Sequence, residues 1–244
     1  MAEQEVIKHT KKVFKIWGNK KVSIWHKVRE FLLEIAIIVF AISLSIWVHD
    51  KSEHSHQQKE VKEFLLGLRE DLQADVAEMK EDKESYVMQG KTFSYITSLN
   101  PGKSLNNDSL KKYQTWLFNI TRLQENNGRF EGFKAAGKIG AIEDLVIQNN
   151  IMDLYQENIP AVLASTDAYI RWKNKLLDFS AKNRKRTSDS TNNIPVMLLM
   201  DEAQNLCGFM ANPSEIIERY DSCISKMNSL LKEIGDRYGL DEHQ

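Results

Sequence analysis

The chain is poor in the residues and motifs on which many enzymes depend. Its 244 residues include four prolines and two cysteines. It has no full Gly-x-x-x-x-Gly-Lys-Ser/Thr phosphate-binding loop, no Gly-x-Ser-x-Gly elbow, no His-Glu-x-x-His motif and no Cys-x-x-Cys pair. All six histidines lie outside residues 61–240. These absences argue against histidine-dependent general base chemistry and zinc binding in that segment, so we expect no enzymatic activity and no cofactor.

One long apolar run dominates the N-terminal part of the sequence. Residues 28–48 read VREFLLEIAIIVFAISLSIWV, and Trp25 and Trp47 bracket them. A membrane-spanning helix needs about 20 predominantly apolar residues, and tryptophan is enriched where such helices meet the lipid headgroups. The run therefore predicts a single transmembrane helix, although Glu34 interrupts it and leaves residues 35–48 as the uninterrupted stretch.

Two other interpretations of the same run remain open. A buried core helix would be this apolar, but the apolar side chains point all round the helix axis and leave no polar stripe to face water. A cleaved secretory signal peptide would begin with a basic region, but the basic region here is long, and residues 41–43 are a poor cleavage site inside the apolar run. The membrane anchor is the interpretation that we favour.

Charge on either side of the run predicts its orientation. Residues 1–30 contain seven lysines and one arginine, whereas acidic residues outnumber basic ones in residues 50–75. An excess of lysine and arginine marks the cytoplasmic side of a span. We therefore expect a cytoplasmic basic amphipathic segment (residues 1–27), an inner-membrane helix (28–48), and a periplasmic domain with a membrane-proximal stalk (49–244).

The basic N-terminal segment interleaves lysines with apolar residues such as Phe14 and Trp17. This pattern is typical of an amphipathic helix on an anionic lipid surface, and a solvated tail that only sets orientation is the alternative. We expect no nucleic acid binding, because the positive charge is confined to this segment and the whole chain has a net charge of −1.

Residues 49–244 have the composition and periodicity of helices. Leucine, lysine, glutamate, glutamine and alanine are abundant, and apolar residues recur at helical spacing. We predict an all-α fold in which the transmembrane helix continues into a helical bundle. The predicted helices cover residues 57–100, 108–122, 130–136, 139–148, 151–185 with a kink at Pro160, 195–210, and a last helix that begins after Asn212. Gly137 separates the third helix from the fourth and is typical of a left-handed helix cap. Asn212, Pro213 and Glu215 form the start signal of the last helix, and residues 183–193 are predicted to be a polar surface loop.

Two stretches resemble an uncharacterised family of single-pass membrane proteins from Bacteroidota. The first is FLLEIAIIVFAISLSIWVHDKSE from Phe31, followed by the charged helix from Val61. The second is FEGFKAAGKIGAIEDLVIQNNIMDLYQE from Phe130, similar to an internal motif of that family. The resemblance implies a membrane-anchored helical domain without an established activity. It maps the motif onto Phe130, Lys134, Ala136, Gly137, Ile142, Leu145 and Tyr155.

Two small groups of residues could bind a metal ion or form a disulfide. His49, Glu53 and His56 share one face of a helix and would form a weak metal site, but a solvated stalk is the interpretation that we favour. Cys207 and Cys223 would bridge in an oxidising compartment, but they lie at unequal distances from the turn near Asn212. We therefore predict no resident metal and two packed free thiols.

Two functional hypotheses follow from this organisation. The first is an interaction or scaffold protein that presents its helical domain to a membrane protein partner or to copies of itself. The second is a ligand sensor in which binding to the bundle shifts the helix that enters the membrane. A carboxyl group inside a span is costly unless it is protonated or paired. Glu34 either binds a neighbouring span through an interhelical hydrogen bond, or is a tolerated polar position near the interface, helped by local water and by Arg29.

Overall fold

The computed structural model describes residues 23–99, 107–185 and 193–238. Over these residues every regular element is a helix, which confirms the predicted all-α fold. The chain divides into two compact units, Met1–Glu60 and Val61–Gln244. The predicted amphipathic helix in residues 1–22 lies outside the described residues, as does most of the polar loop predicted for residues 183–193.

Helix α1, Ile24–Thr97, extends through both units without a break. No glycine or proline occurs between Val48 and Gly67, so nothing in the local sequence interrupts the backbone hydrogen bonds of the helix. The sequence prediction that one helix continues from the apolar run into the domain is confirmed. In the first unit most of its side chains are exposed, including most of the apolar ones.

The second unit is built from the rest of α1 and a series of shorter and longer helices. Its further α-helices are α2 (Asn107–Phe118), α3 (Gly128–Ala135), α4 (Leu145–Asp153), α5 (Ile159–Asn183), α6 (Ile194–Leu198), α7 (Asp201–Met210) and α8 (Ser214–Tyr238). A short 3-10 turn, Ile139–Ala141, precedes α4, and a π-helical turn, Leu154–Asn158, joins α4 to α5.

Aromatic side chains from α1, α5 and α8 meet in the centre of the second unit. The ring of Tyr86 lies 5.3 Å from that of Tyr169 and 5.8 Å from that of Tyr220. The Tyr220 hydroxyl donates to Asp82 at 2.9 Å, and the Tyr169 hydroxyl donates to the Met210 carbonyl at 3.2 Å. Buried tyrosines with partnered hydroxyls add apolar contact without leaving a polar group unsatisfied.

Four predicted helix bounds are wrong. The helix predicted for residues 139–148 is a 3-10 turn, Ile139–Ala141, followed by α4 from Leu145, because the Asp144 side chain caps α4 by accepting from the backbone nitrogens of its first turn. Helix α2 ends at Phe118 rather than at residue 122, because the residues that follow bind other elements through their backbones. The helix predicted for residues 151–185 begins earlier and contains the π turn, which ends two residues before Pro160. The helix predicted for residues 195–210 is two helices, α6 and α7.

The start of the last helix is as predicted. Asn212 accepts a hydrogen bond from the backbone nitrogen of Ser214 at 3.2 Å, and Pro213 precedes the first helical residue. An asparagine oxygen can satisfy one of the four unpaired N–H groups at the start of a helix. From there α8 buries a regular apolar stripe against the rest of the unit, comprising Ile216, Tyr220, Cys223, Ile224, Met227, Leu230 and Ile234.

Candidate functional site

The apolar half of α1 has the dimensions of a membrane span. Over the described residues α1 is the one helix that is long and apolar enough to cross a bilayer, and none of its most apolar stretch is buried. Trp25 is 84% exposed and Trp47 is 59% exposed. Their separation of 22 residues corresponds to roughly 33 Å of helix, close to the hydrocarbon thickness of a bilayer.

Glu34 lies within this apolar surface. It is half-buried, whereas its neighbours Leu33 and Ile35 are exposed at 52% and 42%. A side chain in this position would reach lipid or a neighbouring helix in a membrane. Its predicted role in binding another span stays a prediction.

The histidines of the stalk form ion-pair geometries within single helical turns. The Nε2 atom of His49 lies 3.8 Å from Glu53, and the Nδ1 atom of His56 lies 3.8 Å from Glu60. Both histidine side chains are largely exposed. Within the described part of the chain, no group of three histidine, cysteine or acidic side chains is arranged to hold a metal ion.

Three residues of the family-like motif, Phe130, Lys134 and Tyr155, come together around one aromatic stack, whereas Leu145 of the motif is exposed. The rings of Phe130 and Tyr155 lie 4.2 Å apart and nearly parallel, at 8°. The ammonium of Lys134 lies 5.3 Å from the centre of the Phe130 ring. A second stack, between Phe64 of α1 and Phe133, joins the same short helix α3 to the core at 3.9 Å. The two stacks thus fix α3 between α1 and the π turn.

Gly137 ends α3 in the left-handed conformation that the sequence predicts for a helix cap. Its φ is +71°, and its backbone nitrogen donates to the carbonyl of Lys134 at 2.9 Å. The next residue, Lys138, donates to the carbonyl of Phe133 at 3.2 Å. These bonds satisfy carbonyl groups that the helix end leaves without partners, and glycine adopts the required φ without strain.

Tyr155 is the most unusual member of the motif. It lies in the π turn, is 9% exposed, and its buried hydroxyl makes no hydrogen bond to any described residue. Burial raises the pKa of this hydroxyl far above its ordinary value, and the nearby carboxylates of Asp75 and Asp71 act in the same direction. The Tyr155 hydroxyl therefore stays protonated at neutral pH.

Residues 119–127, which we call the connecting segment, lie along α1 without regular structure. Side chains of α1 satisfy the polar groups of this segment. Tyr86 donates to the carbonyl of Thr121 at 2.6 Å, Glu78 accepts from the nitrogen of Gln124 at 2.8 Å, and Asp75 accepts from the nitrogen of Asn126 at 3.1 Å. Irregular backbone can be buried only when its polar groups find such partners.

Asp75 is completely buried among these contacts. Its carboxylate also accepts from the side-chain amide of Asn126 at 2.7 Å. Burial raises the pKa of Asp75, and its hydrogen bonds from Asn126 partly oppose that shift. One turn earlier on α1, Asp71 binds the guanidinium of Arg129 at 2.9 Å. Arg129 lies so close to Gly67 that a β-carbon there would be 2.2 Å from the guanidinium carbon.

Lys173 is a second buried charge, and it caps the C-terminal end of α2 by hydrogen bonds. Its ammonium donates to the carbonyl of Trp116 at 3.0 Å, to the side-chain oxygen of Asn119 at 3.0 Å, and to the Asn119 carbonyl. The residue is 3% exposed, and burial lowers the pKa of its amine to about 7. Cations are favourable at helix C-termini because the last carbonyls lack partners.

The two cysteines are buried free thiols, as the sequence predicts. Burial raises the pKa of both Cys207 and Cys223 to about 12. A reactive cysteine needs an accessible thiolate at neutral pH, so both side chains are core residues rather than nucleophiles.

Sequence reasoning missed Asp75, Lys173 and the connecting segment. A signal for the two charges was present, because each occupies a helix position whose neighbours one turn away are buried. These neighbours are Leu72 and Met79 for Asp75, and Tyr169 and Leu176 for Lys173.

Comparisons with family models, with curated proteins and with solved structures find no match to this chain.

Proposed function

We propose that this protein is a membrane-anchored interaction protein. In this proposal the apolar segment of α1 spans the bacterial inner membrane, and the unit Val61–Gln244 binds a membrane protein partner or further copies of the chain. The observation that carries the proposal is the continuity of α1, whose first part is apolar and exposed while its later part supplies core residues such as Leu68 and Leu72.

The burial pattern favours a span over a core helix of a soluble protein. Such a core helix would bury its apolar side chains, whereas the apolar segment of α1 is not buried. The choice of a span over a cleaved signal peptide depends on the sequence, in which the basic region is long and residues 41–43 are a poor cleavage site. Lipid would cover the exposed apolar side chains at no cost in hydration.

The interior of the second unit supports interaction rather than catalysis. Among the described residues, each fully buried charge already has a structural role, Asp75 at the connecting segment and Lys173 at the end of α2. Catalysis requires titratable groups that face a substrate in an accessible cleft. Neither carboxylate nor ammonium is free here to take that part.

A ligand sensor remains the alternative, and α1 is also the observation that favours it. Asp75 and Tyr86, which hold the connecting segment, are on the same helix as the apolar segment. A ligand that moved the connecting segment would act directly on that helix.

The test of anchoring and orientation uses reporters fused after Gln244 in a bacterium with two membranes. We expect a reporter that is active only in the periplasm to work there, and one that is active only in the cytoplasm to fail, because the basic residues precede the span. The protein should also stay with the membrane after alkaline carbonate extraction. The opposite reporter pattern would overturn the orientation and the localisation together.

The test of interaction is crosslinking in intact membranes followed by purification of the full chain. We expect discrete higher-mass species that contain either a second copy or a defined partner. A protein that remains monomeric at all crosslinker concentrations would contradict the scaffold proposal and leave the sensor as the better one.

A further inference from the structure

The exposed side of the C-terminal half of α5 carries a row of basic residues. Arg171, Lys175 and Lys182, which we call the α5 basic stripe, are all exposed. At 100° per residue their offsets of four and eleven fall within about 40° of the helix circumference, and they cover about 16 Å of its length. Asp178 is the one carboxylate on the same side of this stretch, and Arg184 and Lys185 extend it beyond the helix end.

The cations of the stripe have no carboxylate partners within the described residues. Elsewhere in the second unit basic side chains pair with acids from other helices, as Lys83 does with Asp221 at 2.6 Å and Lys226 with Asp153 at 3.1 Å. None of the stripe residues takes part in such an ion pair. Their charge is therefore available to a molecule outside the chain.

An aromatic pair holds one cation of the stripe in place. The rings of Trp172 and Phe209 stack at 4.2 Å and 14°, and the ammonium of Lys175 lies 4.1 Å from the centre of the Trp172 ring. Phe209 is 61% exposed. The stripe thus has a large apolar residue beside it, and the attraction of Lys175 to the ring limits the freedom that this side chain would lose on binding.

The far end of the stripe is also fixed. The backbone nitrogen of Lys185 donates to the side chain of Asn193 at 2.5 Å, and the Asn193 amide donates to the carbonyl of Asn183 at 3.0 Å. These bonds tie the chain just after α5 to the start of α6. Arg184 and Lys185 consequently follow the helix in a defined direction.

We propose that the α5 basic stripe is the docking surface for an acidic segment of a partner protein. Carboxylates spaced along one side of a partner helix or strand would match a line of cations about 16 Å long, and an apolar partner residue would cover Phe209. A flat anionic bilayer fits less well, because the charges form a line along one helix rather than a broad face. This inference rests on the proposed interaction function and names the chemistry of the partner.

The test measures binding of a defined acidic peptide to the full chain in nanodiscs of phosphatidylcholine. The probe is a fluorescein-labelled peptide in which glutamate recurs along one helical side and one leucine lies beside it. The stripe variant is R171Q/K175Q/K182Q. The control variant, K62Q/K80Q/K232Q, removes the same charge from exposed lysines that also lack ion pairs in the described structure.

We expect the stripe variant to weaken peptide binding about tenfold at low salt, and the control variant less than about twofold. Phe209→Ser should weaken binding by a smaller factor that does not depend on salt, whereas the effect of the stripe should shrink as salt rises. These three results together would support the docking surface.

Four outcomes would overturn it. Equal losses in the stripe and control variants would mean that the peptide senses only net charge. Stripe-dependent binding to phosphatidylglycerol vesicles without binding to the peptide would assign the surface to lipid. Stripe-dependent dimers on mass photometry without peptide binding would assign it to a second copy. If membrane crosslinks persist in the stripe variant, this inference fails while the interaction function stands.

Discussion

The ammonium of Lys173 lies 3.0 Å from the carbonyl oxygen of Trp116 and closes the end of α2 from a position that is almost completely buried. A lysine in a protein core is expensive unless acceptors surround it, and here three oxygen atoms do so. Lys173 also determines where α2 ends, because the carbonyl and side-chain oxygens of Asn119 bind its ammonium and the helix stops at Phe118.

Lys173 predicts a particular pH dependence of stability. Burial lowers the pKa of its amine from 10.5 to about 7, so between those values the unfolded chain holds a proton that the folded chain has released. The free energy of unfolding should therefore rise with pH in this window through this group. In thermal or denaturant unfolding of the full chain in detergent, wild type should gain stability relative to Lys173→Met between about pH 7 and pH 9.

At the upper end of that range the variant should be less stable by about 1 to 3 kcal/mol, because the carbonyls of Trp116 and Asn119 lose their donor. Lys80→Met, at an exposed position, is the control and should follow wild type at every pH. A constant difference between Lys173→Met and wild type across the range would mean that the amine does not titrate there.

A β-branched residue at position 137 should lower the free energy of unfolding substantially. With φ at +71°, Gly137→Val should cost more than about 1 kcal/mol of unfolding free energy, since valine is strained in that conformation. Gly132→Val is the matched control, because Gly132 is helical and has open space around its missing side chain. Equal unfolding temperatures for the two variants would contradict a structural role for the left-handed cap.

A side chain at Gly90 should also lower the free energy of unfolding, but through steric overlap rather than backbone strain. A β-carbon at this position would lie 2.6 Å from the ring of Pro213, which is rigid and begins the turn into α8. Gly90→Ala should therefore destabilise the protein by about 1 to 3 kcal/mol through overpacking, even though alanine favours a helix. Gly208→Ala, in open space on α7, should be neutral or stabilising by up to about 1 kcal/mol when measured in the same unfolding assay.

Substitution of Glu34 should weaken assembly in the membrane without affecting folding. Burial of its carboxyl group in the hydrocarbon costs about 2 to 3 kcal/mol on insertion scales unless the group is protonated or paired, and a neighbouring helix is one source of a partner. Glu34→Leu should preserve membrane insertion and thermal stability but weaken crosslinked species in intact membranes. Glu34→Gln should keep most of them, because the amide can still form an interhelical hydrogen bond. Crosslinking that survives Glu34→Leu unchanged would leave the second unit as the interaction surface.

Much of the candidate site was visible in the sequence because it depends on local patterns. The apolar run with its two tryptophans, the continuation of α1 through residues without glycine or proline, the Gly137 cap and the Asn212 start signal each involve residues close together in the chain. Helix propensity and capping act over a few residues, so their outcome can be read from the order of amino acids.

The tertiary structure decided what depends on distant residues. The stack of Phe130 on Tyr155, the contacts of Asp75 with Asn126 and of Lys173 with Asn119 join side chains that are far apart in sequence. Local propensity favoured helix through residue 122, but the hydrogen bonds that α1 and Lys173 offer to the connecting segment outweighed it. Buried polar groups must find partners wherever the fold provides them, and only the packed chain shows where those partners lie.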